Sequence, residues 1–456
     1  MRLITLTIDR RLSLSPMGNL PPPVLERFQD RLTFDNPVWL ENEKHGYSNW
    51  RVPEKLRFYR MDGDDLIMPR GFIRQAVWML RDAGIEYRVD QQTRRFPAVD
   101  YHFTGQLKDF QAEAVDTVLR RDFGTLAAPT GSGKTVMALA VIARRRQPAL
   151  IVVHSKELLH QWIERIEAFL GIPAAEVGMI GGGQRTLGKK LTVALVQTLY
   201  KCAAEVAPRI GFLVVDECHR CPSRTFTEAV TAFDSKYMLG LSATPWRRDG
   251  QTRLIYWYLG SKVYEIDRAD LVEDGHILAA EVIIRRTDFE PGHDPSEEYS
   301  RMLSELTEDP DRNALIAGDV VREARNGGGV CLVLTDRKAH CEALAEMLAE
   351  YGVRAAVLTG NLNNKKRREI IAALNAGQVK VLLATGQLIG EGFDCPGLST
   401  LFLATPIRFS GRVLQYLGRI LRPAPGKAKA RVYDYLDVNV GVLINAARSR
   451  ARVYGG

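Results

Sequence analysis

The sequence lacks long hydrophobic runs, and no stretch approaches the ~18 consecutive apolar residues that a bilayer-spanning helix requires. The first sixteen residues are interrupted by charged side chains and lack the continuous apolar core of a secretory signal. Cysteine is also scarce, with 6 in 456 residues, too few for a disulfide framework in so long a chain. We therefore exclude a membrane bundle and expect a reducing compartment, the cytoplasm or a eukaryotic nucleus.

The excess of basic over acidic residues is modest overall, but it is unevenly distributed. Lys and Arg number 62 against 54 Asp and Glu, which gives a formal net charge of +8. From Gly411 to Gly456, nine Lys or Arg face two Asp, whereas the first 103 residues are nearly balanced. A basic C-terminal segment is typical of proteins that bind a polyanion such as nucleic acid. A solvated basic tail explains the same charge equally well.

Residues 1–103 have the pattern of a small α+β unit. Residues Leu3 to Ile8 alternate with strand period, and two apolar runs flank a turn at Asp62-Gly63-Asp64. Residues 71–82 carry apolar side chains at helical spacing. For the aromatic side chains of this unit, core positions are favoured over base-stacking platforms. These aromatic residues are Trp39, Trp50, Phe58, Tyr59 and Trp78.

Two longer regions of alternating strand and helix patterns follow. From Gly105 onward, short β-branched or Leu-rich runs alternate with helical patterns, and the alternation begins again after residue 282. Such alternation predicts βαβ units and parallel sheets buried on both faces. The sequence thus predicts an α/β protein with an accessory unit at 1–103 and parallel-sheet domains at 104–282 and 283–456. The acidic, proline-containing segment Thr287 to Asp311 is the candidate connection.

A glycine-rich loop, Ala128-Pro-Thr-Gly-Ser-Gly-Lys-Thr135, separates a short apolar strand from an apolar helical pattern. Glycines at such a turn let backbone N–H groups face phosphates, and the helix N-terminus adds positive potential. Lys134 would reach the β- and γ-phosphates of ATP, and the Thr135 hydroxyl would bind Mg²⁺. The other loop residues assigned to nucleotide binding are Thr130, Gly131, Ser132 and Gly133.

A second apolar strand pattern ends in two carboxylates, Asp216 and Glu217. Asp216 is placed to hold the Mg²⁺ shell, and Glu217 to orient or deprotonate the attacking water. The following Cys218 and Cys221 also spell C-x-x-C beside a histidine. A structural zinc site needs a second ligand pair, which the sequence does not offer.

Several ordered motifs together resemble the superfamily 2 helicases and translocases. The resemblance covers roughly residues 105–440, and within the superfamily it is strongest to the XPB/UvsW-like branch of DNA-directed motors. The motifs that carry it are DECH at 216–219, SAT at 242–244, QYLGRILR at 415–422, LKDFQ at 107–111, TPWRRDG at 244–250 and GEGFD at 390–394.

The resemblance implies two tandem RecA-like domains that sandwich ATP. It implies that Gln111 reads the adenine and that Gly392 and Asp394 line the cleft near the ribose. It also implies that Arg419 and Arg422 act as arginine fingers, because planar guanidinium groups stabilise spreading phosphoryl charge. Residues implied to couple the nucleotide state to the nucleic-acid surface are His219, Ser242, Thr244 and Gln415.

The resemblance further implies a nucleic-acid track formed by loops at strand ends. Small hydroxyl side chains and free backbone N–H groups suit sequence-neutral phosphate contact. The implied contacts are Ser155, Lys156, Gln197, Thr198, Thr335, Thr359, Gly360, Thr385 and Gly386. For the basic helix start Lys365-Lys-Arg-Arg368, a solvated helix end explains the charges as well as DNA contact does.

The sequence departs from the XPB pattern in two places. The Arg-Glu-Asp loop of that family corresponds best to Arg247-Arg248-Asp249, which lacks the glutamate, and only residues 287–312 could serve as a thumb. Translocation on a duplex without full unwinding is therefore an open alternative. So are an RNA-directed helicase and an ATPase scaffold of a defence or repair complex. We expect DNA as the main partner and residues 1–103 as a DNA-recognition or protein-binding unit.

Overall fold

The computed structural model describes residues 3–220, 224–243, 252–360, 362, 364–386, 395–407, 410–424, 427 and 429–454. It consists of two compact units, Met1–Ala128 with Gly133–Ile266 and Pro129–Ser132 with Asp267–Gly456. Across the described ranges, no helix combines the length and the apolar character needed to cross a membrane.

The first unit begins with a mixed five-stranded sheet in the order β5-β6-β2-β1-β7. Side chains in the first two strands alternate between buried and partly exposed positions, as the period-two pattern predicts. The elements are β1 (Ile4–Ile8), β2 (Leu12–Ser15), α1 (Pro22–Arg31), β3 (Thr33–Asp35), α2 (Pro37–His45), β4 (Lys55–Arg57), β5 (Arg60–Asp62), β6 (Asp65–Met68), α3 (Ile73–Asp82) and β7 (Tyr87–Gln91).

An eight-stranded sheet follows in the order β11-β10-β12-β9-β13-β14-β8-β15, parallel except for the β10–β11 pair. Its central strands are apolar throughout because helices cover both faces. The elements are α4 (Asp109–Leu119), β8 (Phe123–Ala127), α5 (Lys134–Arg145), β9 (Ala149–Val153), α6 (Lys156–Leu170), β10 (Gly178–Gly181), β11 (Gln184–Arg185), β12 (Leu191–Leu195), α7 (Val196–Leu199), α8 (Ala203–Val206), β13 (Phe212–Val215), α9 (Arg224–Val230), β14 (Tyr237–Ser242), α10 (Thr252–Leu259) and β15 (Lys262–Glu265).

The two sheets of the first unit share a hydrophobic core. Trp257 of α10 is 1% exposed and packs in the same cluster as Phe28 and Phe72 of the N-terminal sheet region. Gly71 approaches α10 so closely that a Cβ would lie 2.2 Å from the carbonyl oxygen of Tyr256. Residues 1–103 are therefore packed against the first parallel sheet as part of one compact unit.

The prediction that the N-terminal aromatic residues are core is wrong for two of them. Trp50 is 80% exposed and Trp78 is 56% exposed. Phe58 and Tyr59 are partly buried and pack against the shared core, as predicted. Trp50 lies outside the core because it belongs to a loop between β3 and β4 that extends beyond the sheet.

The second unit contains a fully parallel six-stranded sheet in the order β16-β21-β20-β17-β19-β18. The two predicted parallel α/β sheets are thus confirmed. The elements are α11 (Arg268–Glu273), β16 (Ala280–Thr287), α12 (Tyr299–Glu308), α13 (Pro310–Asn326), β17 (Val330–Thr335), α14 (Lys338–Glu350), β18 (Ala355–Leu358), α15 (Asn364–Asn375), β19 (Val381–Thr385), β20 (Leu398–Leu403), α16 (Ser410–Ile420), β21 (Ala430–Asp437) and α17 (Gly441–Tyr454).

Residues 287–311, expected to connect the domains, lie inside the second unit. Met302 and Leu306 of α12 are fully buried and pack with Phe289 and Leu443 in a small separate core. This packing gives the segment a structural role within the second unit. The boundaries at residues 103 and 282 stay predictions.

Candidate ATP site and nucleic-acid contacts

The phosphate loop begins where β8 ends and stops where α5 begins. Ala128 N donates a hydrogen bond to Ser242 O at 2.9 Å, which ties the start of the loop to the end of β14. Gly131 and Gly133 have φ values of +94° and +87°, in the left-handed region that favours glycine. Lys134 is the first residue of the helix. The loop thus has the strand–turn–helix context that the motif requires.

Side chains from two neighbouring segments hold this loop. Lys134 Nζ donates to Ala128 O at 2.9 Å, so the ammonium lies over the loop. Gln111 is 8% exposed, and a Cβ built on Gly133 would meet its Nε2 at 2.4 Å. The Gln111 Oε1 accepts from Lys108 N at 3.0 Å. The structure therefore brings Gln111 beside Gly133 of the phosphate loop, and its recognition of adenine stays a prediction.

The two acidic candidates follow β13, which is separated from β8 by β14. All three strands are parallel, so their carboxyl ends lie at one edge of the sheet. Asp216 Oδ2 accepts from Trp162 Nε1 at 2.9 Å, and Asp216 Oδ1 accepts from Glu217 N at 2.9 Å. The carboxylate orientation is thus set by two hydrogen bonds.

The two adjacent carboxylates have pKa values moved in opposite directions. Burial and the neighbouring Glu217 charge raise the pKa of Asp216 from 3.8 to about 6. Burial also acts to raise the pKa of Glu217, but the His219 ring and the Lys134 ammonium outweigh it and lower the pKa to about 2. Glu217 is therefore the carboxylate that stays ionised, and Asp216 is the one that gains most from a bound cation.

Two of the residues expected to couple the nucleotide state to nucleic acid, His219 and Ser242, lie near Glu217. His219 Nδ1 lies 3.2 Å from Glu217 Oε2 and 3.2 Å from Ser242 Oγ. The Glu217 Oε2 is buried and makes no hydrogen bond of good geometry among the described residues. Glu217 itself has a φ of +49°, which is strained for a residue with a side chain. His219 thus links the acidic pair to the SAT strand end.

This donor set fits a nucleotide with Mg²⁺. A carboxylate at Asp216 and a hydroxyl at Thr135 are the hard oxygen ligands that Mg²⁺ takes, alongside phosphate oxygens. Turned glycines and the N-terminus of a twelve-residue helix suit the phosphates themselves. No group of three or more His, Cys, Asp or Glu that could hold a metal occurs among the described residues, and Cys221 lies outside them.

The implied nucleic-acid contacts divide into exposed and buried positions. Those that are partly or fully exposed are Ser155, Lys156, Gln197, Thr198, Gly360 and Thr385, whereas Thr335, Thr359 and Gly386 are buried. The Ser155 hydroxyl accepts from Leu158 N at 3.2 Å and begins α6. Gln197 Nε2 donates to His154 O at 3.3 Å.

The predicted contact between Thr335 and nucleic acid needs a correction. It is 1% exposed, and its hydroxyl lies 2.8 Å from His340 Nδ1, whose Nε2 lies 2.8 Å from Asn313 Oδ1. Burial lowers the pKa of His340 to about 3, so this is a neutral internal hydrogen-bond network. A hydroxyl used in that network is not presented to a phosphate, and we withdraw Thr335 from the predicted contacts.

Some predicted residues lie partly or wholly outside the described part of the chain. Gly392, Asp394, Thr244 and residues 247–249 fall outside it, as does the side chain of Gln415. Arg419 lies in the last turn of α16, while Arg422 follows two residues after the helix ends at Ile420. The i, i+3 spacing of Arg419 and Arg422 would place both on one face of a continuous helix, but only Arg419 lies in the helix.

The C-terminal basic segment is less available than its charge indicates. Arg450 is 2% exposed and its Nη2 forms an ion pair with Asp434 at 2.7 Å. Arg431 is paired with Glu281 and Glu323. Burial lowers the pKa of Lys427 to about 8. Part of the basic segment thus neutralises charges within the second unit, so fewer of its basic side chains are available to a polyanion than its net charge indicates.

No motif of the sequence marks Trp162 as the hydrogen-bond donor to Asp216. It lies in α6 and is 2% exposed. In the sequence, Trp162 is one of the regularly spaced apolar residues of α6, and this spacing indicates that it is buried. The spacing does not indicate that its indole donates to Asp216.

Two protein-family models match this chain. The family described as type III restriction enzyme, res subunit, matches residues 104–247, and the helicase conserved C-terminal domain matches residues 313–424. The DNA 3'-5' translocase XPB2 of Sulfurisphaera tokodaii is 28% identical over 353 residues, which cover 70% of this chain and 79% of that protein.

Two solved structures align with the chain. The structure of S. cerevisiae Dbp5 bound to RNA and ADP BeF3 aligns with a TM-score of 0.57 and 14% identity, over 77% of this chain and 88% of that one. The crystal structure of T4 UvsW aligns over 99% of this chain and 97% of that one, with 18% identity and a TM-score of 0.46. The Dbp5 alignment confirms a fold of two RecA-like domains. The chain belongs to the superfamily 2 helicases, in their XPB-like branch, and is an ATP-hydrolysing enzyme.

Proposed function

We propose that this protein is an ATP-dependent DNA helicase or double-stranded DNA translocase that converts ATP hydrolysis into movement along DNA. One observation carries the proposal: Lys134, the pair Asp216 and Glu217, and the His219–Ser242 contact lie at one sheet edge of a chain similar to a protein named as a DNA translocase. A role in repair, recombination or replication accords with such an activity.

In this proposal the phosphate loop and the acidic pair supply the hydrolytic machinery. Backbone N–H groups of residues 130–133 and the Lys134 ammonium bind the phosphates, while Thr135 and Asp216 hold Mg²⁺. Bound Mg²⁺ neutralises charge that develops on the β- and γ-phosphate oxygens. Glu217, which stays ionised at neutral pH, orients the attacking water. Gln111 recognises the adenine.

Motifs of the C-terminal half of the chain are assigned the remaining proposed nucleotide contacts. Arg419 and Arg422 act on the γ-phosphate, and Gly392 and Asp394 lie near the ribose. The supporting observation is the order of these motifs along a chain whose C-terminal region matches the helicase family. The nucleotide state is passed to the DNA through His219, Ser242, Thr244 and Gln415.

The proposed DNA track uses the strand-end residues that remain after the correction above. These are Ser155, Lys156, Gln197, Thr198, Thr359, Gly360, Thr385 and Gly386. Contacts of this kind are made to phosphates and are indifferent to base sequence. We also propose a reducing compartment, cytoplasmic or nuclear, because Cys202, Cys218, Cys331 and Cys341 are buried thiols that form no disulfide with one another.

The steady-state ATPase rate tests the choice of substrate. It is measured with duplex DNA, single-stranded DNA and RNA of matched length, for the wild type and for Lys134→Ala. We expect strong stimulation by DNA and almost no activity in the variant, because Lys134 binds the transferred phosphoryl group. Stimulation by RNA alone contradicts the DNA assignment. Hydrolysis that no nucleic acid stimulates favours the scaffold function instead.

A further inference from the structure

The N-terminal sheet region carries a surface that the ATP site does not explain. Between β3 and β4 the chain makes an excursion through α2 to a tip formed by residues 44–51, with the sequence KHGYSNWR. We call these eight residues the basic-aromatic tip. It contains Lys44, His45 and Arg51 and no acidic residue. Trp50 in the tip is 80% exposed and Tyr47 is 66% exposed.

The excursion is fastened at its base. Asn36 is 6% exposed, and its Nδ2 donates to Pro53 O at 2.8 Å while its backbone N donates to Glu54 O at 2.8 Å. The same side chain accepts from Val38 N at 3.1 Å and so begins α2. These bonds join the outgoing and returning strands of the excursion, so the tip projects from a closed base.

The tip itself is fastened to α2 by a second asparagine. Asn49 Nδ2 donates to Glu43 Oε1 at 2.9 Å and to Trp39 O at 3.3 Å, and Asn49 Oδ1 accepts from Asn42 Nδ2 at 3.0 Å. Trp50 directly follows this anchored residue. The exposed indole is therefore presented by a segment held through side-chain hydrogen bonds, which lowers the entropy lost when a ligand stacks on it.

Arg51 contributes a cation to the indole. Its Cζ lies 4.6 Å from the Trp50 ring centroid, and its backbone φ is +68°. A residue with a side chain pays for a left-handed conformation, and such strain concentrates at functional positions. Arg51 makes no ion pair with any described residue, so its charge stays available to a ligand.

The other exposed tryptophan of this region shows what an ordinary surface position looks like. Trp78 of α3 also has an arginine over its ring, with Arg27 Cζ at 4.9 Å from the centroid. There, Arg27 is neutralised by Asp82 at 2.6 Å. The Trp50 surface differs because its cation has no carboxylate partner among the described residues.

We propose that the basic-aromatic tip is a stacking platform for an unpaired base of single-stranded DNA, with Trp50 and Tyr47 contacting bases and Lys44 and Arg51 contacting phosphates. Aromatic side chains interleaved with cations bind single strands in this way, because every base has a stacking face. The proposal rests on the proposed DNA-dependent function and extends it to a second contact surface, outside the strand-end track.

Equilibrium binding of the full chain to a fluorescently labelled oligo(dT) and to a blunt duplex tests the platform. We expect Trp50→Ala to weaken oligo(dT) binding by about tenfold, the loss typical of one stacked base. Trp50→Phe should restore most of that affinity. Blunt-duplex binding and the melting temperature should not change, because Trp50 is exposed and a duplex offers no splayed base. Trp78→Ala is the matched control and should bind oligo(dT) like the wild type.

Arg51→Gly separates binding from folding. Glycine accepts the positive φ without strain, so the melting temperature should be equal or higher, while oligo(dT) affinity should fall and depend less steeply on salt. If the wild type responds to DNA but Trp50→Ala binds oligo(dT) normally, the platform is overturned and the motor assignment stands. If no DNA binds or stimulates the wild type, the motor assignment and the platform both fail.

Discussion

Trp162 Nε1 donates a hydrogen bond to Asp216 Oδ2 at 2.9 Å, across 54 residues of sequence. The indole is 2% exposed and projects from α6, while Asp216 follows β13 in the same unit. A buried donor to a candidate metal ligand fixes the ligand's orientation and leaves its remaining lone pairs for the cation. Trp162 is therefore assigned as a positioning residue for the Mg²⁺ site.

Removing this hydrogen bond should weaken Mg²⁺ use more than ATP binding. For Trp162→Phe we expect the Mg²⁺ concentration at half-maximal ATPase activity to rise by roughly tenfold, as is typical when a partner of a metal ligand is lost. Direct Mn²⁺ binding, followed by electron paramagnetic resonance in the presence of ADP, should weaken to a similar extent. Binding of a fluorescent ATP analogue without metal should be unaffected.

Trp257→Phe provides the matched control for Trp162→Phe. Trp257 is also buried, at 1% exposed, but its indole nitrogen has no hydrogen-bond partner among the described residues. The same change in volume should therefore lower stability without altering the metal dependence. Equal shifts in Mg²⁺ dependence for both variants would show that packing, not the hydrogen bond to Asp216, is responsible.

Asp216 should make the stability of the metal-free protein depend on pH. Its folded pKa of about 6 lies above its ordinary value of 3.8, so the protonated carboxyl favours the folded state. That contribution is complete below pH 3.8 and is lost as pH rises through about 6. In EDTA, the free energy of unfolding of the wild type relative to Asp216→Asn should fall between pH 4 and 7, by at most about 1.4 kcal/mol per pH unit. If the free energy of unfolding of the wild type relative to Asp216→Asn rises with pH, the pKa of Asp216 is not raised in the folded protein.

Arg450 should matter for folding rather than for DNA binding. Its guanidinium is held by Asp434, which also accepts from Tyr454 at 2.7 Å, and all these groups are largely buried. Arg450→Ala leaves the Asp434 charge without its partner and should cost roughly 3–5 kcal/mol in the free energy of unfolding.

Arg448→Ala removes the same charge from an exposed position of the same helix and is the control for Arg450→Ala. It should leave the free energy of unfolding within about 0.5 kcal/mol of the wild type. Both free energies are measured by urea denaturation. Equal effects of the two variants would indicate that net charge, and not the buried pair with Asp434, is decisive.

Arg419→Ala should separate ATP binding from ATP hydrolysis. An arginine that stabilises charge on the transferring phosphoryl group acts mainly in the transition state, and its loss lowers the rate by about 10³-fold or more. We expect the turnover number to fall by such a factor while the affinity for a fluorescent ATP analogue changes little. A proportional loss of affinity and turnover contradicts the arginine-finger role.

The phosphate loop and the acidic strand end could be predicted because each is formed by consecutive residues of a recognisable type. The phosphate loop ending at Lys134 needs glycines at turns and a helix after them, and a buried parallel strand before Asp216 is a continuous apolar run. The order of the strands, and hence the edge at which they meet, follows from long-range pairing that such runs do not encode. The contact between Trp162 and Asp216 has the same origin.

Burial of polar and aromatic residues was the least predictable property. Thr335 and Trp50 carry ordinary sequence signals, yet the first is 1% exposed and the second is 80% exposed. Their exposure is decided by contacts that form only in the folded chain, with His340 and Asn313 in one case and at the base held by Asn36 in the other. Arg450 is likewise buried because its guanidinium donates a hydrogen bond to Asp434 of β21.

The most direct test of the account is ATP-driven displacement of a third strand from a duplex. A labelled triplex-forming oligonucleotide is placed on a duplex, and its release is followed with ATP for the wild type and for Glu217→Gln. We expect the wild type to release the third strand only when ATP is hydrolysed. Glu217→Gln should release none, although that variant still binds ATP. DNA-stimulated ATP hydrolysis by the wild type without release of the third strand, and without unwinding of a forked duplex, would contradict the claim that this protein is a DNA motor.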